Sequence, residues 1–143
     1  MSANATLSAD CLAPGRARGE LVCLSVPLSL WGGFDLESGA VCDVNHPQHG
    51  TQIAGKVIAL PGGRGSSSSS SVLLESARLG INPLAIILTE RDPILAVGAL
   101  VADDLYGVSI PIVRISIEKF HELADRSLIS VTADPGNACI DLL

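Results

Sequence analysis

Aromatic residues are scarce in this 143-residue chain: Phe, Tyr and Trp together make up 3% of it. A core must therefore be assembled from Val, Ile, Leu and Ala, residues that suit strands covered on both faces with helices laid against them. That favours an α/β architecture over a sandwich. Charge is sparse as well, with 17% charged residues and a net charge of −6. No basic run exists to neutralise phosphates, which excludes nucleic acid and anionic membrane surfaces as partners. Apolar runs are short: one of the longest, residues 93–101, falls well below the ~20 residues of a membrane span. The N-terminus lacks a charged segment followed by an apolar one, so the expectation is a cytoplasmic chain. Cysteine is limited to Cys11, Cys23, Cys42 and Cys139. They form no Cys-x-x-Cys or zinc-type spacing, so they are read as reduced and mostly buried, with no metal bound by this chain.

What is present is apolar. Hydrophobic residues make up 48% and the mean hydropathy is +0.45, which excludes a disordered chain and leaves apolar surface for a partner. The length fits one domain. Residues 1–18 are small and polar with weak periodicity and are read as a flexible arm, with the folded domain spanning 19–143. A strand over 20–24 ends before Pro27. A loop follows in which three glycines surround Trp31 and Phe34, and then come a short strand over 39–43 and a polar turn over 46–50. A buried strand is predicted over 55–60 and another over 84–88, with a helix between them that Gly80 closes. Asp92 and Pro93 have the pattern of an N-cap and first-turn proline for a helix to about Leu105. A strand over 110–115, a helix over 117–124 and a strand over 128–132 follow. Hairpins near the start and alternating strands and helices afterwards predict three layers, part β/β and part β/α.

The most informative segment is Pro61, Gly62, Gly63, Arg64 and Gly65 followed by six serines, Ser66 to Ser71. Glycine and serine runs ordinarily mark linkers. A linker here would cut the chain into two halves, each marginal alone, although a strand ends at its first residue and a helix begins at its last. As a strand-to-helix turn, the same segment exposes backbone N–H groups at the positive end of a helix dipole, where a carboxylate or phosphate binds. Arg64 can add a bidentate clamp. Serines cap helices well and propagate them poorly, so one hydroxyl can face a cleft as a candidate catalytic group while the rest start the helix. Gly65 is not followed by Lys and then Ser or Thr, and the third glycine of the dinucleotide fingerprint is missing, so nucleotide binding is rejected.

Four stretches, in this order and spacing, carry a resemblance to a known family. They are Val26-Pro27-Leu28-Ser29 with Trp31-Gly32-Gly33-Phe34-Asp35; Glu37-Ser38-Gly39; His46-Pro47-Gln48-His49-Gly50 through Ile53-Ala54-Gly55-Lys56-Val57; and Gly63-Arg64-Gly65-Ser66. Over most of its length after Gly19 the chain resembles the small, or swivel, domain of the aconitase X-type dehydratases. The resemblance implies a three-layer β/β/α swivelling domain as in the aconitase small domain. It also implies a larger aconitase X subunit as partner, holding an iron or iron–sulfur centre, with no cofactor on this chain. The serine after the glycine-basic-glycine triplet, here Ser66, then stands at the active site of an enzyme that dehydrates a small carboxylate substrate. Gly63, Arg64, Gly65 and Ser67 surround the substrate's anionic group.

A serine hydroxyl is far too weak an acid to serve as a base unaided, so Ser66 needs N–H donors or Arg64 to hold its alkoxide. His46 and His49 either meet substrate or tie their loop together. Trp31 reads as a packing anchor or an interface residue. Within the resembled family, bacterial-type members dehydrate cis-3-hydroxy-L-proline and archaeal ones a phosphorylated mevalonate. The Trp31 and His46 stretches favour the hydroxyproline group. The alternatives are the small subunit of a phosphomevalonate dehydratase and a regulatory module that binds an anion without chemistry.

Overall fold

The computed structural model describes residues 5–62 and 66–143. The first two strands are β1 (Ala5–Ala13) and β2 (Gly15–Cys23), followed by the four-residue segment α1 (Leu30–Gly33), whose interior angles are those of a turn and not of a helix. The order continues β3 (Val57–Leu60), α2 (Ser69–Leu79), β4 (Ala85–Leu88), α3 (Pro93–Tyr106), β5 (Ile112–Arg114), α4 (Ile117–Phe120), β6 (Leu128–Asp134) and β7 (Asn137–Leu142). β2, β3, β4 and β5 run parallel, with Leu21 opposite Val57, Val57 opposite Ala85 and Ile86 opposite Ile112. α2 and α3 are the crossover helices that parallel neighbours require. β1, β6 and β7 are antiparallel and join β5 to β2, so the described strands close into a barrel in the order β1-β5-β4-β3-β2-β6-β7.

Every residue of β3 and β4 is buried, and their alternation divides the core in two. Val57, Ala59, Ala85 and Ile87 join Leu21, Val131 and Ile140 in a cluster drawn from strands on all sides of the barrel. Ile58, Leu60, Ile86 and Leu88 face the other way, into a cluster with Leu73 and Ala77 of α2 and Leu95, Ala99 and Ala102 of α3. The two helices approach closely at Gly98, where a Cβ would lie 2.9 Å from the Ser70 carbonyl oxygen. α3 starts as its sequence dictates: Asp92 accepts from the Leu95 N–H at 3.1 Å, Pro93 follows, and Gly107 ends the helix in the left-handed region.

Of the flexible arm expected over residues 1–18, residues 1–4 lie outside the described residues, and the part from Ala5 is corrected by the structure, in which β1 and the first part of β2 are barrel strands. Their period-2 pattern is weak because the core-side positions Leu7, Ala9, Cys11 and Ala13 are mostly small, and the register shifts between Cys11 and Ala13. Over 39–43 no regular strand forms, only isolated bridges pairing Phe34 with Val41 and Ala40 with Gln52. β7 went unpredicted although Pro135 and Gly136, the latter at φ 76°, make the two-residue turn that leads into it. The helix expected over 117–124 is a single turn capped by Ser116. No helix among the described residues is long and apolar enough to cross a membrane.

The four cysteines are unpaired; Cys42 is exposed and the other three only partly buried, less so than expected. Burial, and secondarily the Asp125 carboxylate, push the Cys23 thiol up to about 11.

Two measurements follow from this architecture. A chain lacking residues 1–13 loses the strand between β5 and β7 and opens both barrel cores. It is expected to lose cooperative thermal unfolding by circular dichroism, whereas a free arm would leave Tm unchanged. Burial holds the Cys23 thiol up and shields it from reagent whereas Cys42 is exposed, so iodoacetamide at pH 8 is expected to label Cys42 well before Cys23 in the native protein. Equal labelling rates, read by mass spectrometry, would refute the burial argument.

Candidate functional site

The C-terminal ends of the four parallel strands open on one edge of the barrel, which is where open α/β sheets hold their ligands. The glycine-rich segment leaves β3 at this edge. The Gly62 N–H donates to Thr89 Oγ1 at 2.7 Å, which ties it to the end of β4, and a Cβ at Gly62 would lie 3.6 Å from the Glu90 carboxylate. Gly63, Arg64 and Gly65, expected to hold an anion, lie outside the described residues. Ser66 and Ser67 follow in a turn, Ser66 half-buried and Ser67 exposed. Ser66 Oγ accepts the Ser68 N–H at 3.2 Å, and the Ser66 carbonyl accepts the Ser69 N–H at 2.9 Å. α2 begins at Ser69, with Ser68 as its N-cap but no side-chain capping bond. The Ser66 hydroxyl is thus held beside the first turn of an eleven-residue helix.

Ser69 is buried, and its hydroxyl accepts the Trp31 backbone N–H at 3.4 Å. This joint was not foreseen, because nothing local distinguishes Ser69 from its five neighbours. It brings Trp31 to the serine run. Trp31 has φ −72° and ψ 113° and Gly32 φ 83°, the two corners of a type II turn, where a residue with a side chain would be strained at the Gly32 position. Trp31 is 59% exposed, while Leu30 and Phe34 on either side are buried.

His46 and His49 part company. His46 is buried; its Nδ1 accepts the Gln48 N–H at 3.0 Å, which places the proton on Nε2, the nitrogen 3.2 Å from the Val26 carbonyl oxygen. Both ring nitrogens are spent within the loop. The Gln48 side chain continues the network: its Oε1 accepts the Ser25 N–H and hydroxyl at 3.2 Å each, and its Nε2 donates to the Cys23 carbonyl at 3.4 Å. His49 is exposed, and no side-chain bond links it to the serines among the described residues. Asp35 and Asp43 are loop acceptors: Ser38 and Glu37 hydrogen bonds hold the Asp35 carboxyl below its ordinary range, and Asp43 takes the Asn45 N–H at 3.0 Å.

Sequence reasoning also missed a cationic group further along this edge. The Asp10 carboxylate of β1 takes Arg114 Nε at 3.0 Å and Nη2 at 2.6 Å, with Arg91 Nη2 4.0 Å away. A cavity of about 330 Å³ opens there between Ser8, Asp10, Arg114, Ser116 and Lys119. Among the described residues no group of three or more His, Cys, Asp or Glu could hold a metal ion. Hydroxyls, guanidinium groups and backbone donors suit an anion and do not fit an iron–sulfur cluster.

A protein of Pseudomonas aeruginosa named cis-3-hydroxy-L-proline dehydratase is 50% identical over 113 residues, covering 79% of this chain and 19% of its own length. The phosphomevalonate dehydratase small subunit of Methanothermobacter thermautotrophicus is 38% identical over 133 residues, covering 91% of this chain and 97% of its own. The chain therefore spans about a fifth of the former relative and nearly all of the latter. The crystal structure of Thermococcus kodakaraensis aconitase X superimposes with a TM-score of 0.84 at 33% identity, covering 97% of this chain and 98% of the matched one. The family description "aconitase X swivel domain" fits residues 6–140, from the second residue of β1 to the fourth of β7. With nearly the whole barrel, the loop and the serine turn inside that span, the chain belongs to the aconitase X swivel domain family.

Proposed function

We propose that this chain is the small component of a cytoplasmic dehydratase, completed by a larger aconitase X polypeptide, and that the substrate is cis-3-hydroxy-L-proline. The observation that carries the reading is the position of Ser66: at the C-terminal edge of the parallel strands, with its oxygen fixed beside the start of α2. The 50% identity to the Pseudomonas aeruginosa protein of that name supports the substrate. In this reading the antiparallel strands, the parallel strands and the helices act as the β, β and α layers of a swivelling domain.

The reaction breaks a C–H bond alpha to the carboxylate and a C–O bond on the adjacent carbon, forms a carbon–carbon double bond and releases water. An iron or iron–sulfur centre of the larger polypeptide supplies Lewis acidity toward the departing hydroxyl. Ser66 acts as the alkoxide: its Oγ takes the α-proton, and the hydroxyl so formed gives a proton to the departing hydroxide, which leaves as water and returns Ser66 to the alkoxide. The Ser68 N–H already donates to that oxygen, and the N-terminus of α2 favours negative charge on it, so the alkoxide is stabilised where it forms. Gly63, Arg64, Gly65 and Ser67 hold the substrate carboxylate, Arg64 through paired N–H donors and the glycines through their backbone. His46 positions the loop from behind, since neither of its nitrogens is available to move protons.

The match to almost the whole length of a phosphomevalonate dehydratase small subunit favours that substrate as the second reading. Assaying the assembled enzyme on both compounds separates them, and turnover of neither would leave an anion-binding module.

In the assembled enzyme Ser66→Ala is expected to lower kcat by ~100-fold or more with little change in KM, as loss of an acid–base group does. Ser70→Ala, whose hydroxyl bonds only the Ser67 carbonyl, should change kcat by less than about threefold. Arg64→Ala should mainly raise KM, because a guanidinium paired with a carboxylate acts in ground and transition states alike. Near-normal kcat in Ser66→Ala, with assembly intact, would reduce Ser66 to a turn residue.

A further inference from the structure

We infer that Trp31 and Val44 form the patch on which the larger aconitase X polypeptide docks, and that seating Trp31 sets the serine turn carrying Ser66. The inference rests on the two-component reading above and adds where the components meet.

Trp31 and Val44 are 59% and 77% exposed, in a chain that hides most of its other large apolar side chains. They belong to adjoining turns: the Cys42 N–H donates to the Gly33 carbonyl at 2.8 Å, Cys42 Sγ lies 3.5 Å from the Gly32 carbonyl, and the Asp43 Cβ is 3.9 Å from the position a Gly33 Cβ would take. The patch is presented rigidly. Buried Leu30 and Phe34 anchor both ends of the Trp31 turn, and the Phe34 N–H closes it on the Leu30 carbonyl at 3.1 Å. A pre-ordered aromatic with water on most of its surface is the usual form of an interface anchor. Space surrounds it: a Cβ at Gly32 or Gly50 would meet nothing within 4 Å. Asp35 and Asp43, whose carboxylates both act on Cys42 beside the Trp31 turn, add negative charge, so the matching surface is an apolar pocket with a basic rim.

The occupant follows from the neighbourhood. The patch adjoins the turn that holds Ser66, and a second copy of this chain placed there would add only another hydroxyl loop. The Pseudomonas aeruginosa relative carries about four-fifths of its length outside the matched region, ample chain to cover the patch and complete the site. The patch is also wired to that site. The Trp31 N–H bonds Ser69 Oγ, and the Ser69 N–H bonds the Ser66 carbonyl, so two hydrogen bonds separate the docking turn from the serine. Fixing Trp31 in a pocket therefore fixes the first turn of α2. Trp31 and Ser69 are positioning residues in this scheme.

The test uses the full chain co-expressed with the larger aconitase X polypeptide, reading the Kd of assembly by titration and kcat at saturating partner. Trp31→Ala is expected to weaken assembly by at least ~10-fold, and Trp31→Phe to recover part of the loss. Leu100→Ser, on the outer face of α3 where Leu100 is 48% exposed, should stay within about threefold of wild type. Ser69→Ala should leave Kd unchanged and lower kcat by roughly three- to tenfold, because it cuts the tether without touching the patch. Trp31→Ala with wild-type Kd, or with wild-type Kd and a raised KM for substrate, overturns the docking role. Ser69→Ala with wild-type kcat overturns the positioning role. A wild-type chain that fails to bind the larger polypeptide refutes the two-component reading itself, and the docking patch with it.

Discussion

Eight residues, Val57–Leu60 and Ala85–Leu88, have no face turned to water, and the rest of the molecule is arranged to keep them so. A strand apolar on both sides is stable only when something covers each face. On one side the cover is α2 and α3, laid close enough that Gly98 has no room for a Cβ. On the other it is the antiparallel arc of β6, β7 and β1, which closes the barrel and leaves no strand edge unpaired. Chain direction then decides the chemistry. Since β3 and β4 are parallel and reached through crossover helices, their C-terminal ends and the start of α2 fall on the same edge, where Gly62 and Ser66 lie.

At that edge the protein holds long irregular segments with hydrogen bonds where a regular element would use a ladder. The stretch between β2 and β3 has no disulfide and, among the described residues, no metal-binding cluster. Its order comes from Gln48, His46, Asp35 and Asp43, each closing a turn on backbone groups. Removing His46 would leave the Val26 carbonyl and the Gln48 N–H without their partner, at ~1–3 kcal/mol for each such group buried unsatisfied. The loop keeps Trp31 outside and Leu30 and Phe34 inside, and it keeps the Trp31 N–H in reach of Ser69.

The six serines divide their labour by position. Ser66 and Ser67 stay outside the helix, Ser68 holds the N-cap position without a side-chain capping bond, Ser69 faces inward to the Trp31 turn, Ser70 bonds back to Ser67, and Ser71 is exposed in the first turn. A run of good helix formers in their place would extend α2 toward Gly65 and carry the Ser66 position into the helix, where its backbone N–H would be drawn toward the helical ladder. Poor helix propensity is what keeps the catalytic candidate in a turn.

The composition and local pattern were enough to identify the α/β class, the buried strands around 55–60 and 84–88, the caps of α3 at Asp92 and Gly80's role after α2, because each depends on residues adjacent in the chain. The family motifs, and through them Ser66 as candidate, were equally legible. What could not be read is whatever depends on residues far apart. β1 was hidden because small side chains suffice at its core-side positions once six other strands surround them. β7 depended on β1 and β6 as much as on its own six residues. The Trp31–Ser69 bond spans 38 positions and the Arg114–Asp10 pair spans 104, and no spacing rule reaches so far. Local sequence determined which segments could be strand, helix or turn. Tertiary structure decided which became barrel staves and which side chains met, because closing a barrel fixes neighbours by geometry that no single segment contains.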